Sequence, residues 1–252
     1  MKKFKRVFLI VLDSVGVGHA KDEEKFKDKN VNTFKHNLET GVKLLNLEKM
    51  GFTNLACDTD YDTISFYMRG EEISNGKDTL TGHLEMMGVE TKIPFKTFTE
   101  TGFPKELIDE LEKQSGRRVI GNKNASGTEI IKELGELHEK TGDIIIYTSA
   151  DSVLQIAAHE DVVPLEELYH ICKLAREITL KDEWKVGRII ARPFIGKNGD
   201  YQRTPNRHDY ALDPVHETVL DNLKKDKYEK NIYCGCCGRI DSRSVLLKGN
   251  SR

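Results

Sequence analysis

Two short segments carry residue types and spacings suited to chemistry. Gly76-Lys77-Asp78-Thr79-Leu80-Thr81-Gly82-His83 puts turn formers and hydroxyls before Leu84-Glu85-Met86-Met87, which reads as the first turn of a helix. A hydroxyl at a helix start has two uses. It caps an orphan backbone N–H, or the free amides and positive dipole end of the same helix hold a phosphate carried on, or brought to, Thr81. The second segment is Asp13-Ser14-Val15-Gly16-Val17-Gly18, which follows the apolar run RVFLIVL from Arg6 to Leu12. In open α/β sheets ligands gather beyond the carboxyl ends of the strands, where Asp13 would stand. The glycines lack the third position of a dinucleotide fingerprint, and a plain strand-to-loop turn accounts for them. Of the five cysteines, Cys234, Cys236 and Cys237 are spaced C-x-C-C. Zinc sites of the common kind pair two Cys or Cys/His units, and no second unit follows, so these read as reduced thiols without a role.

The elements that would position Asp13 and Thr81 follow from hydrophobic patterning. Arg6 to Leu12 is continuous and β-branched, as in a strand buried on both faces of a mainly parallel sheet. Leu44, Leu45, Leu47 and Met50 predict a short helix closed by Gly51, and Thr63 to Met68 a strand. From about Pro94 helices and strands alternate. Helices are predicted at Pro104 to Gln114, Thr128 to Lys140, Pro164 to Leu180 and Val215 to Leu223, with strands at Asp143 to Tyr147 and Val186 to Phe194. In the third helix Leu165, Leu168, Cys172, Ala175 and Ile178 recur at steps of three and four. This is an α/β pattern without internal repeats.

The chain has 252 residues, with 39 Lys and Arg against 41 Asp and Glu, so no basic field suits a nucleic-acid backbone or an anionic membrane. No apolar run approaches the roughly 20 residues of a membrane helix, and a cytoplasmic protein with small-molecule partners is expected.

Three groups of segments together resemble phosphopentomutases, of the alkaline-phosphatase superfamily. They are VLDSVGVG (Val11 to Gly18), GKDTLTGHLE (Gly76 to Glu85), and a series from Ser126 to Leu212 comprising SGTEI, YTSADSVLQIAAHE, ICKLARE, VGRIIARPF and RTPNRHDYAL. The likeness runs from about residue 4 to 228. It implies part of an alkaline-phosphatase-like core with an inserted α/β cap domain: residues 1–92 in the core, 93–213 in the cap, and 214–252 a partial return to the core. It implies interconversion of ribose 1-phosphate and ribose 5-phosphate, and of their deoxyribose analogues, with a sugar bisphosphate as activator. It also implies two divalent metals, usually manganese.

The position matching the threonine that carries the phosphoryl group is Thr81, and Asp13 matches a metal ligand; Thr81 would bind metal as well. Both agree with the placement of these residues above. A threonine hydroxyl is a weak nucleophile that coordination to a divalent ion activates, and a hard carboxylate such as Asp13 suits the ion. Within the cap the likeness points to Ser149, Asp151, Arg192, Arg203 and Arg207 as holding the sugar phosphate. Planar guanidinium forks suit phosphate oxygens, and a carboxylate accepts from ribose hydroxyls. Other uses stay open: Asp151 would cap a helix starting at Ser152, and Arg203 or Arg207 would be solvated loop charges. His83, His159 and His208 lie in the matched segments and are not expected to bind metal; His83 would support the loop.

Leu84 stands where the family commonly has tryptophan, which would alter packing near Thr81. Family members also continue with further aspartate and histidine ligands, including an Asp-His-Gly segment, whereas this sequence has no Asp-His dipeptide. Past Tyr228 the likeness gives way to a polar, arginine-rich tail. The expectation is a truncated chain with an aberrant tail and no measurable mutase activity. Two other readings are a non-catalytic fragment that binds sugar phosphate and a metalloenzyme resembling phosphoglycerate mutases.

Overall fold

The computed structural model describes residues 8–12, 15–26, 30–76, 78–197 and 199–225. Asp13, Cys234, Cys236, Cys237 and the segment past Tyr228 lie outside the described residues. The chain divides into two compact units between Glu72 and Ile73.

The first unit holds three short helices, α1 (Thr33–Glu39), α2 (Leu45–Lys49) and α3 (Phe52–Cys57), after a single 3-10 turn at Glu23–Phe26. Asn32 caps α1 by accepting from the Lys35 N–H at 3.1 Å. Phe34 and Phe52 meet with ring centroids 5.3 Å apart, joining α1 to α3. Buried Asn54 staples the following loop: its amide donates to the Tyr61 carbonyl at 2.8 Å and its oxygen accepts from Thr59 and the Tyr61 N–H, both at 3.0 Å.

Among the described residues the predicted strands of this unit do not form. Phe8 to Leu12 has no regular structure and stays exposed, Phe8 at 78% and Ile10 at 79%. Thr63 to Met68 is irregular as well; the Ile64 N–H bonds to the Lys49 carbonyl and the Ser65 hydroxyl to that of Met50. Apolar composition makes a strand only where a neighbouring strand satisfies its N–H and C=O groups. Among the described residues every sheet strand lies in the second unit.

That unit is a mixed α/β layer structure. Its elements are α4 (Thr79–Met86), α5 (Lys105–Ser115), β1 (Val119–Asn124), α6 (Gly127–Thr141), β2 (Ile144–Thr148), β3 (Val153–His159), α7 (Leu165–Ile178), β4 (Arg188–Lys197), β5 (Asp200–Arg203), β6 (His208–Ala211) and α8 (Val219–Lys225). Strand order is β1-β2-β3-β4-β5, with β6 also on β4. β1 and β2 are parallel, as are β3 and β4; β2–β3, β4–β5 and β4–β6 are antiparallel. β3 takes one edge of β4 along Arg188 to Phe194, so β5 (opposite Phe194 to Lys197) and β6 (opposite Arg188 to Ala191) lie end to end along the other.

Because side chains alternate across a strand, the two sheet faces have different cores. Ile144, Ile146, Leu154, Ile156, Ala158, Ile189 and Ala191 face α5 and α7, which contribute Leu107, Leu111, Leu168, Ile171, Cys172 and Ala175. On the other face Ile145, Tyr147, Ala157, Phe194 and Tyr201 pack against Ile130 and Ile131 of α6. Spacings of three and four on α5 and α7 place these residues in one stripe. The helices end where expected, α5 and α6 at Gly116 (φ 71°) and Gly142 (φ 75°), whose left-handed conformation suits glycine. The prediction missed β1, β3, β5 and β6. At Ser152 it allowed a helix; the structure has β3 instead, buried along all seven residues between two neighbouring strands. Among the described residues, no helix is long and apolar enough to cross a membrane.

His138 on α6 is fully buried; its Nδ1 bonds to the Asp143 carbonyl at 2.6 Å and its Nε2 accepts the His159 N–H at 2.8 Å. Only the neutral ring fits both. Burial holds its pKa below the usual value; nearby His159 and Arg117 add to this, while the Asp143 bond and Glu139 oppose it. The folded state thus takes up this proton less readily than the unfolded chain, and stability should fall as pH drops below about 6.5, the unfolded value. Thermal melts between pH 7.5 and 5 should show a decline that is shallower in His138→Phe. Equal slopes in the two proteins would contradict this.

Candidate functional site

The start of α4 fixes Thr81. Asp78 is the N-cap: its Oδ1 accepts the Thr81 N–H at 3.0 Å and its Oδ2 the Thr81 hydroxyl at 2.7 Å. The helix therefore begins at Thr79 rather than Leu84, and the cap is Asp78 and not Thr81. Thr81 sits inside the first turn with no exposed surface. His83 supports the same turn through Nδ1 and the Thr79 carbonyl, 2.7 Å apart.

Glu85, one turn on, straps the approach to this helix. Its carboxylate accepts from the N–H groups of Ile73 at 2.9 Å and Ser74 at 2.6 Å, while the Ser74 hydroxyl accepts from Thr91 N–H at 2.9 Å. The hydrogen bond from the Ser74 side chain, followed by those from the two amides, keeps the Glu85 pKa below the ordinary carboxylate value. A Cβ added to Gly187 would lie 3.6 Å from Asp78 Oδ1, so the α4 start meets the turn before β4. The Ser152 hydroxyl accepts from Gly187 N–H at 3.0 Å and donates to the Lys96 carbonyl at 2.5 Å.

A second cluster occupies the sheet face that α6 covers only in part. Opposite Ile190 of β4 stand Gln155 of β3 and Asp209 of β6, and Tyr147 of β2 stands opposite Gln155. The two-residue period puts Arg188 and Arg192 on this face too. Arg192 Nε donates to Gln155 Oε1 at 3.0 Å. Asp209, 1% exposed, accepts two bonds from Arg207, at 2.7 and 2.6 Å, and lies 3.5 Å from Arg188, whose other nitrogen is 3.6 Å from Asp151. Arg203 donates to the Thr128 hydroxyl at 2.6 Å.

Burial chiefly, then the positive charges of Arg207 and Arg203, lower the Arg192 pKa, with Tyr147 and Asp209 opposing. Burial raises that of Tyr147, opposed by the same three arginines. Among the described residues the ion pairs of these four guanidinium groups run to two carboxylates, Asp151 and Asp209. This surplus of positive charge beside polar donors suits an oxyanion.

The structure thus brings Arg192, Arg203 and Arg207 together, with Asp151 joined to them through Arg188. Ser149 lies just past β2, its carbonyl accepting from the Thr99 hydroxyl at 3.2 Å. Asp151 caps no helix, since β3 follows it. His159 has both ring nitrogens engaged, Nε2 with the Gly196 carbonyl at 2.9 Å and Nδ1 with the Asp161 N–H at 3.2 Å. Among the described residues, no three His, Cys, Asp or Glu side chains cluster to hold a metal ion.

No protein-family model matches the chain. It is similar to the phosphopentomutase of Clostridium beijerinckii, 53% identical over 235 residues that cover 90% of this chain and 59% of that protein. Against the phosphopentomutase of Agathobacter rectalis it is 54% identical over 249 residues, 93% of this chain and 63% of that one. Over that shared length the chain is similar to phosphopentomutases. It spans about three-fifths of the length of these curated relatives.

Several residues of the candidate site carry little signal in the sequence. Asp78 had a readable signal, an acidic residue three positions before Thr81 at a helix start. Arg188, Gln155 and Asp209 had none, because only the pairing of β3, β4 and β6 brings them together. Tyr147 reads as core until α6 is placed beside it.

Proposed function

We propose that this chain serves phosphopentomutase chemistry, interconverting ribose 1-phosphate and ribose 5-phosphate, and the deoxyribose forms, in the cytoplasm. The observation that carries the reading is the gathering of Arg188, Arg192, Arg203 and Arg207 on one sheet face of a chain half-identical to phosphopentomutases. Residues 93–213 are the proposed cap domain, and the flanking segments belong to the core. Arg192 and Arg203 take the phosphate oxygens, and Ser149 and Asp151 the ribose hydroxyls. Arg207, with Nε and Nη2 both committed to Asp209, contributes charge and shape.

Thr81 is the proposed nucleophile. Its Oγ forms a bond to phosphorus as the bond to the ribose oxygen breaks, the hydroxyl proton passing to the freed ribose oxygen, and the phosphoryl returns to the other end of the sugar in the reverse step, or comes first from a sugar bisphosphate. Asp78 holds the hydroxyl in one orientation until attack breaks that bond. Thr81 and Asp13 are the oxygen donors that would hold a hard divalent ion such as manganese, which would supply charge neutralisation and activation of the hydroxyl.

A second reading, sugar-phosphate binding without turnover, is favoured by the confinement of the arginine cluster to one sheet. The test is to incubate the folded chain with manganese, a ribose bisphosphate and ribose 1-phosphate, following ribose 5-phosphate formation and the melting temperature. Conversion that disappears in Thr81→Ala supports transfer. A rise in melting temperature with ribose 5-phosphate but no conversion supports the binding reading. Neither effect in a folded sample overturns both, and conversion of a phosphoglycerate instead would reassign the substrate.

A further inference from the structure

α4 carries Thr81 and Glu85 four residues apart, on one face of the helix. The segment that meets this face, Ile73 to Gly76, belongs to no helix or strand, so its backbone N–H groups need acceptors from elsewhere. Glu85 supplies them. The Ile73 N–H bonds to one carboxylate oxygen at 2.9 Å and the Ser74 N–H to the other at 2.6 Å. The Ser74 hydroxyl donates to the same carboxylate and accepts the Thr91 N–H at 2.9 Å, and Ser74 and Thr91 are both buried. One further bond, from the Asn75 N–H to the Thr91 carbonyl at 2.7 Å, completes the junction.

Two residues past Ser74 the same segment reaches Thr81. A Cβ added to Gly76 would lie 3.1 Å from the Thr81 hydroxyl oxygen and 3.5 Å from Asp78 Oδ2, so the Gly76 backbone packs against the hydroxyl and its acceptor together. Gly76 has φ 134°, which glycine adopts and leaves with equal ease, so its own backbone preference does not keep it there. The bonds at Ile73 and Ser74 do.

We infer that Glu85 is a positioning residue for Thr81: by fixing Ile73 and Ser74 it sets Gly76 against the Thr81 hydroxyl and keeps that hydroxyl in the one rotamer that meets Asp78. That role rests on the reading of Thr81 as the phosphoryl acceptor and adds to it a residue with no bond to the hydroxyl itself. A reacting group is held to geometry by the residues that support it, and a small misplacement is costly. Both backbone groups that face Glu85 are donors, so a carboxylate suits them, whereas glutamine would turn its own N–H groups toward one of them.

The test is nuclear magnetic resonance of the 252-residue chain with labelled threonine methyl groups, reading the Thr81 χ1 rotamer from the couplings of its Cγ2, alongside melting temperatures. Wild type should show one rotamer and Glu85→Gln averaged couplings. Glu167→Ala, which breaks the ion pair with Arg117 outside α4, is the control: it should lower the melting temperature and leave Thr81 in one rotamer. Should Glu85→Gln fail to fold, Ser74→Ala removes one donor to the carboxylate and should loosen Thr81 in the same way. With manganese and a ribose bisphosphate, Glu85→Gln should form phosphothreonine roughly tenfold more slowly or worse, with the half-saturating bisphosphate concentration within about twofold of wild type. A single Thr81 rotamer in the folded variant, or averaging in wild type or in Glu167→Ala, overturns the positioning role and leaves the transfer reading standing. Averaging confined to the Glu85 and Ser74 variants, with no phosphothreonine formed even by wild type, keeps the hold of Glu85 on Thr81 and counts against phosphoryl transfer.

Discussion

Replacing Asp209 by alanine is expected to lower the melting temperature by about 6 to 12 °C. Asp209 is buried to 1% exposure and accepts both the Nε and Nη2 bonds of Arg207, with Arg188 at 3.5 Å. Removing one partner of a buried ion pair costs about 3 to 5 kcal/mol, because the remaining charge stays in a poorly solvating place. The side chains of Arg188 and Arg207 are 14% and 26% exposed, so water recovers part of that loss and the lower end applies. At about 2 to 4 °C per kcal/mol for a chain of this size, the stated drop follows. Arg207→Ala should cost less, because Arg188 still faces Asp209. Melting curves followed by circular dichroism settle the matter: an Asp209→Ala transition within 2 °C (~0.5–1 kcal/mol) of wild type means the triad contributes little.

In a protein extended to the full length of its relatives, Thr81→Ala should abolish the proposed phosphoryl transfer, by at least about a thousandfold in kcat, while leaving the fold intact. The Asp78 Oδ1 bond goes to the backbone N–H of residue 81, which alanine retains, so the helix keeps half of its cap. The lost hydroxyl bond costs only about 1 kcal/mol. Thr79→Ala is the internal control: Thr79 is exposed at the first helical position, and the carbonyl that meets His83 Nδ1 is kept by alanine. Turnover assays and mass spectrometric detection of phosphothreonine read the result. Loss of transfer in Thr79→Ala with Thr81→Ala still active would move the nucleophile. Asp78→Ala, which leaves both Thr81 groups without their acceptor, should lower stability by about 0.5 to 2 kcal/mol.

The sequence by itself determined the α/β class, the positions of α5, α6 and α7 to within a residue or two, and the strands β2 and β4. These elements carry their own periodicity, as in Leu168, Cys172 and Ala175, and their boundaries are set by residues nearby in the chain. Thr81 was legible because a helix start is a local feature, although its cap was misassigned by three residues. Tertiary structure decided the rest. Phe8 to Leu12 and Val153 to His159 are similarly apolar, yet only the latter becomes a strand, since β2 and β4 flank it and supply hydrogen-bond partners on both edges. The arginines of the candidate site are scattered from Arg188 to Arg207 in sequence, and their partners Gln155 and Asp209 are recruited by register across β3, β4 and β6. Tyr147 shows the same division: it ends an apolar run that reads as a strand, but the helix start beside its hydroxyl is a long-range placement that periodicity does not encode.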